Sequence, residues 1–117
     1  MKNSHLLNRL SFALHGLRAA FHNEKSFRTQ LMLAVVALIF FTLLQPGLMW
    51  WAMIIIMICL VLAAELINTA LEHLADHLHP EQHPKIKLVK DCAAAAVLLL
   101  SLAAICVALL ATASVLF

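Results

Sequence analysis

The residues best suited to chemistry lie together near the middle of the chain. Residues 64–76 read AELINTALEHLAD, and no helix breaker follows until Pro80. At about 100° per residue, Glu65, Asn68, Glu72 and Asp76 fall within roughly 80° of one another on a helix. Leu66, Ile67, Leu71, Leu74 and Ala75 cover its other sides. Like charges one turn apart repel, so three carboxylates in one stripe are costly unless something binds them. Glu65 carries a further cost, because it ends a long uncharged run, where an ionisable group marks a functional site by default. Oxygen donors of this kind suit Mg²⁺, which keeps several waters and often bridges to phosphate. The competing structural role is a polar stripe that hydrogen-bonds to sister helices and holds an assembly together.

Other polar groups surround the stripe. His73, His77, His79 and His83 are crowded near Asp76, and His73 and His77 have the i, i+4 spacing that two metal ligands need. Both sit about 80° or more off the carboxylate stripe at 100° per residue, and HExxH is absent, so no dedicated zinc or iron site is expected. Lys85, Lys87 and Lys90 lead into Asp91; they could anchor to anionic headgroups or neutralise phosphates. There is no GxxxxGK[ST] loop and no kinase-type catalytic loop, and the chain has only two glycines, so soluble nucleotide-binding folds are excluded.

The elements that must position these groups are membrane helices. Hydrophobic residues make up 64% of the 117 and charged residues 12%, against about 25% charge in a soluble domain. A soluble fold this small could not hide that much apolar surface. The expected architecture is all-α: an interfacial amphipathic helix over 4–28, then spans over 29–45, 48–79 and 90–117. The second span extends past the membrane surface, and a loop over 80–89 joins it to the third. In the first helix Leu6, Leu10, Ala13, Leu14, Leu17, Ala20 and Phe21 share one arc, with Ser4, Asn8, Ser11, His15, Arg18 and His22 roughly opposite, a pattern that suits the membrane interface. The apolar run 31–44 rises only about 21 Å against a hydrocarbon core of roughly 30 Å, so it needs help from 27–30. Gln45-Pro46-Gly47 reads as a tight turn, and Trp50 and Trp51 sit where an aromatic belt belongs.

All eight basic residues fall before the first span or between the second and third, including Lys2, and none lies in the 45–47 turn. The positive-inside rule then puts the N-terminus and 65–91 in the cytoplasm and the C-terminus outside. No apolar core with a small-residue cleavage site follows the first residues, so the first span is expected to act as its own insertion signal. Cys59, Cys92 and Cys106 lie in apolar runs without metal-ligand spacing and read as small hydrophobes.

The chain resembles the prokaryotic diacylglycerol kinase family. The likeness rests on GLRAAFHNE at 16–24, ELINTALE at 65–72 with Asp76, EQH at 81–83, and Lys90-Asp91 followed by alanines to Val97. Their mutual spacing is kept across nearly the whole chain. The resemblance implies a homotrimeric bundle in a bacterial inner membrane that moves the γ-phosphate of ATP to a lipid hydroxyl at the cytoplasmic face, with Mg²⁺ as cofactor and no nucleic-acid partner. By residue, it implies Glu65 as general base, Asn68 positioning the reacting group, and Lys90 balancing phosphoryl charge. Glu24 and Glu72 would hold the metal. His5, Phe12, Glu24, Glu72, Asp76, Glu81, Gln82, His83, Lys90 and Asp91 would meet the nucleotide. The lipid would meet Arg9, Leu10, Ser11, Ala13, Leu14, Arg18, Ala19, Ala20, Phe21, Ser26, Phe27, Arg28, Gln30, Glu65 and Ala94. His5 and Phe12 stand where the family pattern has arginine and tyrosine, and Gln82 where it has an aromatic residue. Leu14 and Phe21 replace tryptophans.

Diacylglycerol is the favoured lipid, with undecaprenol the alternative on the same fold; the stretch 16–30 with 81–83 looks more like the diacylglycerol type. A non-catalytic oligomeric scaffold is the rival from another class. A cation transporter or channel is disfavoured, because away from the polar end the spans offer only Thr42, Ser101, Thr112 and Ser114.

Overall fold

The computed structural model describes residues 5–117. Lys2 and Ser4, which entered the topology and surface-helix expectations, lie outside the described residues. The described residues form helices α1 (Leu6–Asn23), α2 (Lys25–Leu44), α3 (Leu48–Leu78) and α4 (Pro84–Leu116), with no strand. Three of them, α2, α3 and α4, are long and apolar enough to cross a membrane. Their outer surfaces expose leucine, isoleucine and valine along most of their length. The protein is therefore a multi-pass membrane protein whose apolar exterior faces lipid.

The helix limits differ from expectation at two places, each for a local reason. The surface helix does not run to residue 28. The chain turns at Glu24, whose φ of −117° and ψ of 111° are extended, and a new helix starts at Lys25. The corner needs neither glycine nor proline because Arg28 reaches back across it. Its guanidinium donates to the carbonyls of Phe21 at 2.8 Å and His22 at 3.1 Å, satisfying acceptors that the end of α1 leaves open. Starting at Lys25 also gives α2 its 20 residues, about 30 Å of helix and enough for a full span.

The second difference is the loop, which is shorter than 80–89 because α4 begins at Pro84. Proline at the first helical position loses no hydrogen bond, and the His83 side chain accepts from Lys85 N–H at 3.1 Å to cap the end. At the opposite end, Gln45 closes α2 in the left-handed region (φ 57°, ψ 63°), with its N–H on Phe41 O at 2.8 Å. Gly47 then caps α3.

Packing follows a near-heptad pattern. Phe27, Ala34 and Phe41 bury one stripe of α2, and Ile54, Val61 and Glu65 lie on the buried face of α3. Phe41, Ile54 and Ala111 form the tightest cluster, near the 45–47 turn, with Trp50, Trp51 and Val107 packed against it. α3 and α4 make the main antiparallel interface, α2 packs mostly on α3, and α1 touches α2 and α3 but not α4 among the described residues. At 31 and 33 residues, α3 and α4 exceed the roughly 20 needed to cross the hydrocarbon. Each therefore extends beyond it. At about 1.5 Å per residue, a core of roughly 30 Å counted from Trp50 ends near Ala70, so Glu65 lies just inside its polar end.

Candidate active site

The stripe on α3 climbs out of the packed interior. Glu65 is 5% exposed and is the one buried charged side chain among the described residues. Asn68 and Glu72 are half-buried and Asp76 is exposed, so the polar face runs from the helix core to the water-facing end of the bundle. Each membrane-crossing helix contributes one polar group at the level of Glu65. The Gln30 carboxamide of α2 faces the Glu65 carboxylate, and Gln30 Nε2 also lies 3.4 Å from Ser101 Oγ of α4. Toward the turn end these groups give way to an apolar cavity of about 310 Å³, lined by residues that include Ala34, Phe41, Ile54, Val61 and Val107.

One turn along, Asn68 Nδ2 donates to Glu72 Oε1 at 3.1 Å, while Asn68 Oδ1 is buried without a partner. Glu24 comes to the same region from the corner between α1 and α2, its Oε1 3.0 Å from His73 Nε2. Glu24 and Glu72 are both near enough to Glu65 to repel it. Glu24, Glu65 and Glu72, with the unpartnered Asn68 Oδ1 beside Glu72, make this end of the stripe rich in oxygen and negatively charged. Such a donor set fits Mg²⁺, which needs only one or two carboxylates when phosphates and waters complete its shell. It does not fit a cage of protein ligands alone: among the described residues no three His, Cys, Asp or Glu side chains are grouped to hold a metal. His79 Nδ1 donates to Glu81 O at 2.8 Å, and the His79 and His83 rings meet edge to face at 5.4 Å.

Beyond Glu72 the hairpin opens into a cleft of about 590 Å³. Asp76, Glu81, Gln82, His83 and Lys90, all expected at the nucleotide, line it together with His79 and Lys87. Lys90 Nζ lies 2.5 Å from Asp76 Oδ1, and Lys87 Nζ 2.6 Å from Asp91 Oδ2. A lysine ammonium has three hydrogens to donate, so Lys90 keeps two for a ligand. The other five expected there do not line it: Glu24 and Glu72 lie nearer Glu65, Asp91 pairs with Lys87, and His5 and Phe12 belong to the first part of the chain, where α1 makes no contact with α4 among the described residues.

The residues expected at the lipid fall in several places. Ala13, Ala19 and Ala20 line a second crevice, of about 600 Å³, between α1 and α3, beside Glu24 and His73. Leu10, Leu14 and Phe21 are exposed on α1, as are Arg9, Ser11 and Arg18. Arg28 holds the corner, Phe27 is buried in the packing, Ser26 opens α2 beside them, and Ala94 is exposed on α4. Helical periodicity does not single out His73 or Ser101, because each meets its partner, Glu24 or Gln30, on another element of the bundle.

Comparison with known proteins bears on this arrangement. The family model for prokaryotic diacylglycerol kinase matches residues 11–112. The diacylglycerol kinase of Haemophilus influenzae is 33% identical over 94 residues, covering 80% of either chain. That of Synechocystis is 36% identical over 103 residues, 87% of this chain and 59% of the longer relative. The undecaprenol kinase of Bacillus subtilis is 33% identical over 82 residues, 70% of this chain and 67% of that one.

Proposed function

The chain belongs to the prokaryotic diacylglycerol kinase family, and from that premise we propose that it transfers the γ-phosphate of ATP to 1,2-diacylglycerol, giving phosphatidic acid at the cytoplasmic face of the bacterial inner membrane. The observation that carries the reading is the buried Glu65, beside the open Asn68 Oδ1, at the membrane end of a polar stripe that leads to a lysine-bearing cleft. A substrate that never leaves the bilayer and a nucleotide that never enters it have to meet at such a boundary.

Phosphoryl transfer asks a protein mainly for positioning and for compensation of spread negative charge. Asn68, one turn from Glu65 on α3, helps to position the arriving lipid hydroxyl, whose single hydrogen is directed to the Glu65 carboxylate. Glu65 takes the hydroxyl proton as the new O–P bond forms and the bond to the ADP oxygen breaks. Lys90 donates its two remaining hydrogens to the phosphoryl oxygens, while Asp76 fixes where its ammonium sits. Glu24 and Glu72 would hold Mg²⁺, which would offset charge on the nucleotide phosphates.

The absence of contact between α1 and α4 supports a shared site. In a homotrimer, His5 and Phe12 of one copy would reach a neighbour's cleft. α1, with its apolar residues exposed, would lie in the interface with the N-terminus on the cytoplasmic side. The likeness to an undecaprenol kinase makes the polyprenol the second substrate to test. Labelled ATP offered with diacylglycerol and undecaprenol in mixed micelles tests the proposal, with Glu65→Gln as control. Transfer to diacylglycerol that disappears in the variant supports it, and preference for the polyprenol reassigns the substrate. No transfer to either lipid by folded, oligomeric protein overturns it in favour of a scaffold.

A further inference from the structure

We infer that His73 is a positioning residue for Glu24, orienting the carboxylate for the metal; the inference rests on the assignment of Glu24 to Mg²⁺ made above. Glu24 is the single extended residue between two helices, and its side chain makes no capping hydrogen bond to α2. The backbone corner therefore sets where the side chain starts but not where the carboxylate points. His73 supplies that second constraint, with Nε2 3.0 Å from Glu24 Oε1 across 49 residues of sequence. An ionised carboxylate only accepts hydrogen bonds, so Nε2 carries the hydrogen. That holds for the neutral tautomer and for the cation alike, and the link does not depend on which is present.

The position of His73 gives the link its purpose. It is the next residue after Glu72 on α3, so the bond fastens the α1–α2 corner to the turn that carries the other carboxylate assigned to the metal. Nothing else holds it there: Ala13, Gly16, Leu17, Ala19, Ala20 and Asn23 line the α1 side of the neighbouring crevice, and among the described residues His73 is the one polar partner of the Glu24 side chain. The His73 side chain is 68% exposed and that of Glu24 26%. Solvent on the histidine makes the Coulomb attraction modest, so the effect is on orientation. Glu24 Oε2 remains available to a cation. A histidine holding a ligating carboxylate from outside is the kind of partner whose loss costs about tenfold or more in metal affinity.

The test uses Mn²⁺ as the probe, titrated into the full chain in micelles with a non-hydrolysable ATP analogue and followed by the loss of the free-ion EPR signal. His73→Phe is expected to weaken Mn²⁺ binding about tenfold and to raise the Mg²⁺ concentration needed for half-maximal turnover more than it lowers kcat at saturating Mg²⁺. His73→Gln places an amide N–H where Nε2 lies and is expected to restore most of the affinity. His73→Asn, whose amide sits nearer the helix, is not. Wild-type Mn²⁺ affinity in His73→Phe, with binding lost in Glu24→Gln, overturns the positioning role and leaves the metal assignment standing. Undiminished binding in Glu24→Gln overturns the assignment itself, and the positioning role with it.

Discussion

Lys90 and Asp76, fourteen residues apart, form the salt bridge that joins α4 to α3 at the polar end, with Nζ 2.5 Å from Oδ1. The Lys90 side chain is 37% exposed and that of Asp76 64%, so as a stabilising contact the pair contributes little. Its consequence is geometric. The ammonium is fixed at the inner wall of the cleft, on the same helix pair as Glu65, instead of sweeping the space a four-carbon stem allows.

Replacing Lys90 by alanine is accordingly expected to lower kcat by about 10²- to 10³-fold, the usual cost of removing one preorganised donor from developing negative charge. Asp76→Asn keeps the ammonium but loosens it, and a fall in kcat/KM of about tenfold or less is expected, with thermal stability unchanged. Single-turnover rates with labelled ATP separate the two. If Lys90→Ala only raises KM for ATP, the ammonium binds ground-state nucleotide and does not act on the phosphoryl group in transfer.

Glu65→Gln should separate chemistry from stability. A glutamine keeps the shape and the hydrogen-bonding link to Gln30, while removing a buried charge that Glu24 and Glu72 repel. Turnover is expected to fall by about 10²- to 10⁴-fold, the range for a lost general base. Because the charge is buried at a cost, the melting temperature in detergent should hold or rise. A variant that loses activity only by unfolding would assign Glu65 to packing, on the buried face it shares with Ile54 and Val61.

How much of this was visible in the sequence depends on whether the relation lies within one helix. Glu65, Asn68, Glu72 and Asp76 were legible as a stripe because helical periodicity alone aligns them, and the Asn68–Glu72 bond is an i, i+4 contact of that kind. The three spans were legible from apolar length, since lipid demands it. The break at Glu24 was not, because its cause is the Arg28 guanidinium on the carbonyls of Phe21 and His22 and no residue of the turn announces it. Pro84 was visible, but as a loop residue; capping by His83 makes it a helix start. Links between helices, such as His73 to Glu24 and Ser101 to Gln30, need the packing of the bundle before they can be seen.

Arg28 offers a direct check on the corner. Arg28→Ala removes two charge-assisted hydrogen bonds to helix-end carbonyls, which water can partly replace at an exposed site, so a loss of about 1 kcal/mol is expected. Thermal unfolding in detergent measures it. Because the corner also aims Glu24, the same variant is expected to need more Mg²⁺ for half-maximal activity. A normal Mg²⁺ requirement in a destabilised variant would confine Arg28 to structure; no change in either would mean that the corner is held by α1 packing on α3 through Ala20.

The turn at the other end predicts the opposite sign. Gln45 holds φ at 57° and ψ at 63°, a left-handed conformation that costs a residue with a Cβ roughly 1–2 kcal/mol. It is exposed, and its N–H already bonds Phe41 O, so glycine can take its place without losing a contact. Glycine also gains freedom in the unfolded chain, which offsets part of the benefit, leaving a net stabilisation of about 0.5–1 kcal/mol. Gln45→Val, with a branched Cβ in the same conformation, should destabilise by at least as much. The turn lies at the opposite end of α3 from Asp76 and the cleft, so turnover per folded molecule is expected to stay the same in both variants while the melting temperatures move apart. Equal melting temperatures would mean that Pro46 and the caps at Phe41 and Gly47 set the turn whatever residue stands at 45. Altered turnover would mean that the two ends of α3 are coupled through the Phe41–Ile54–Ala111 cluster.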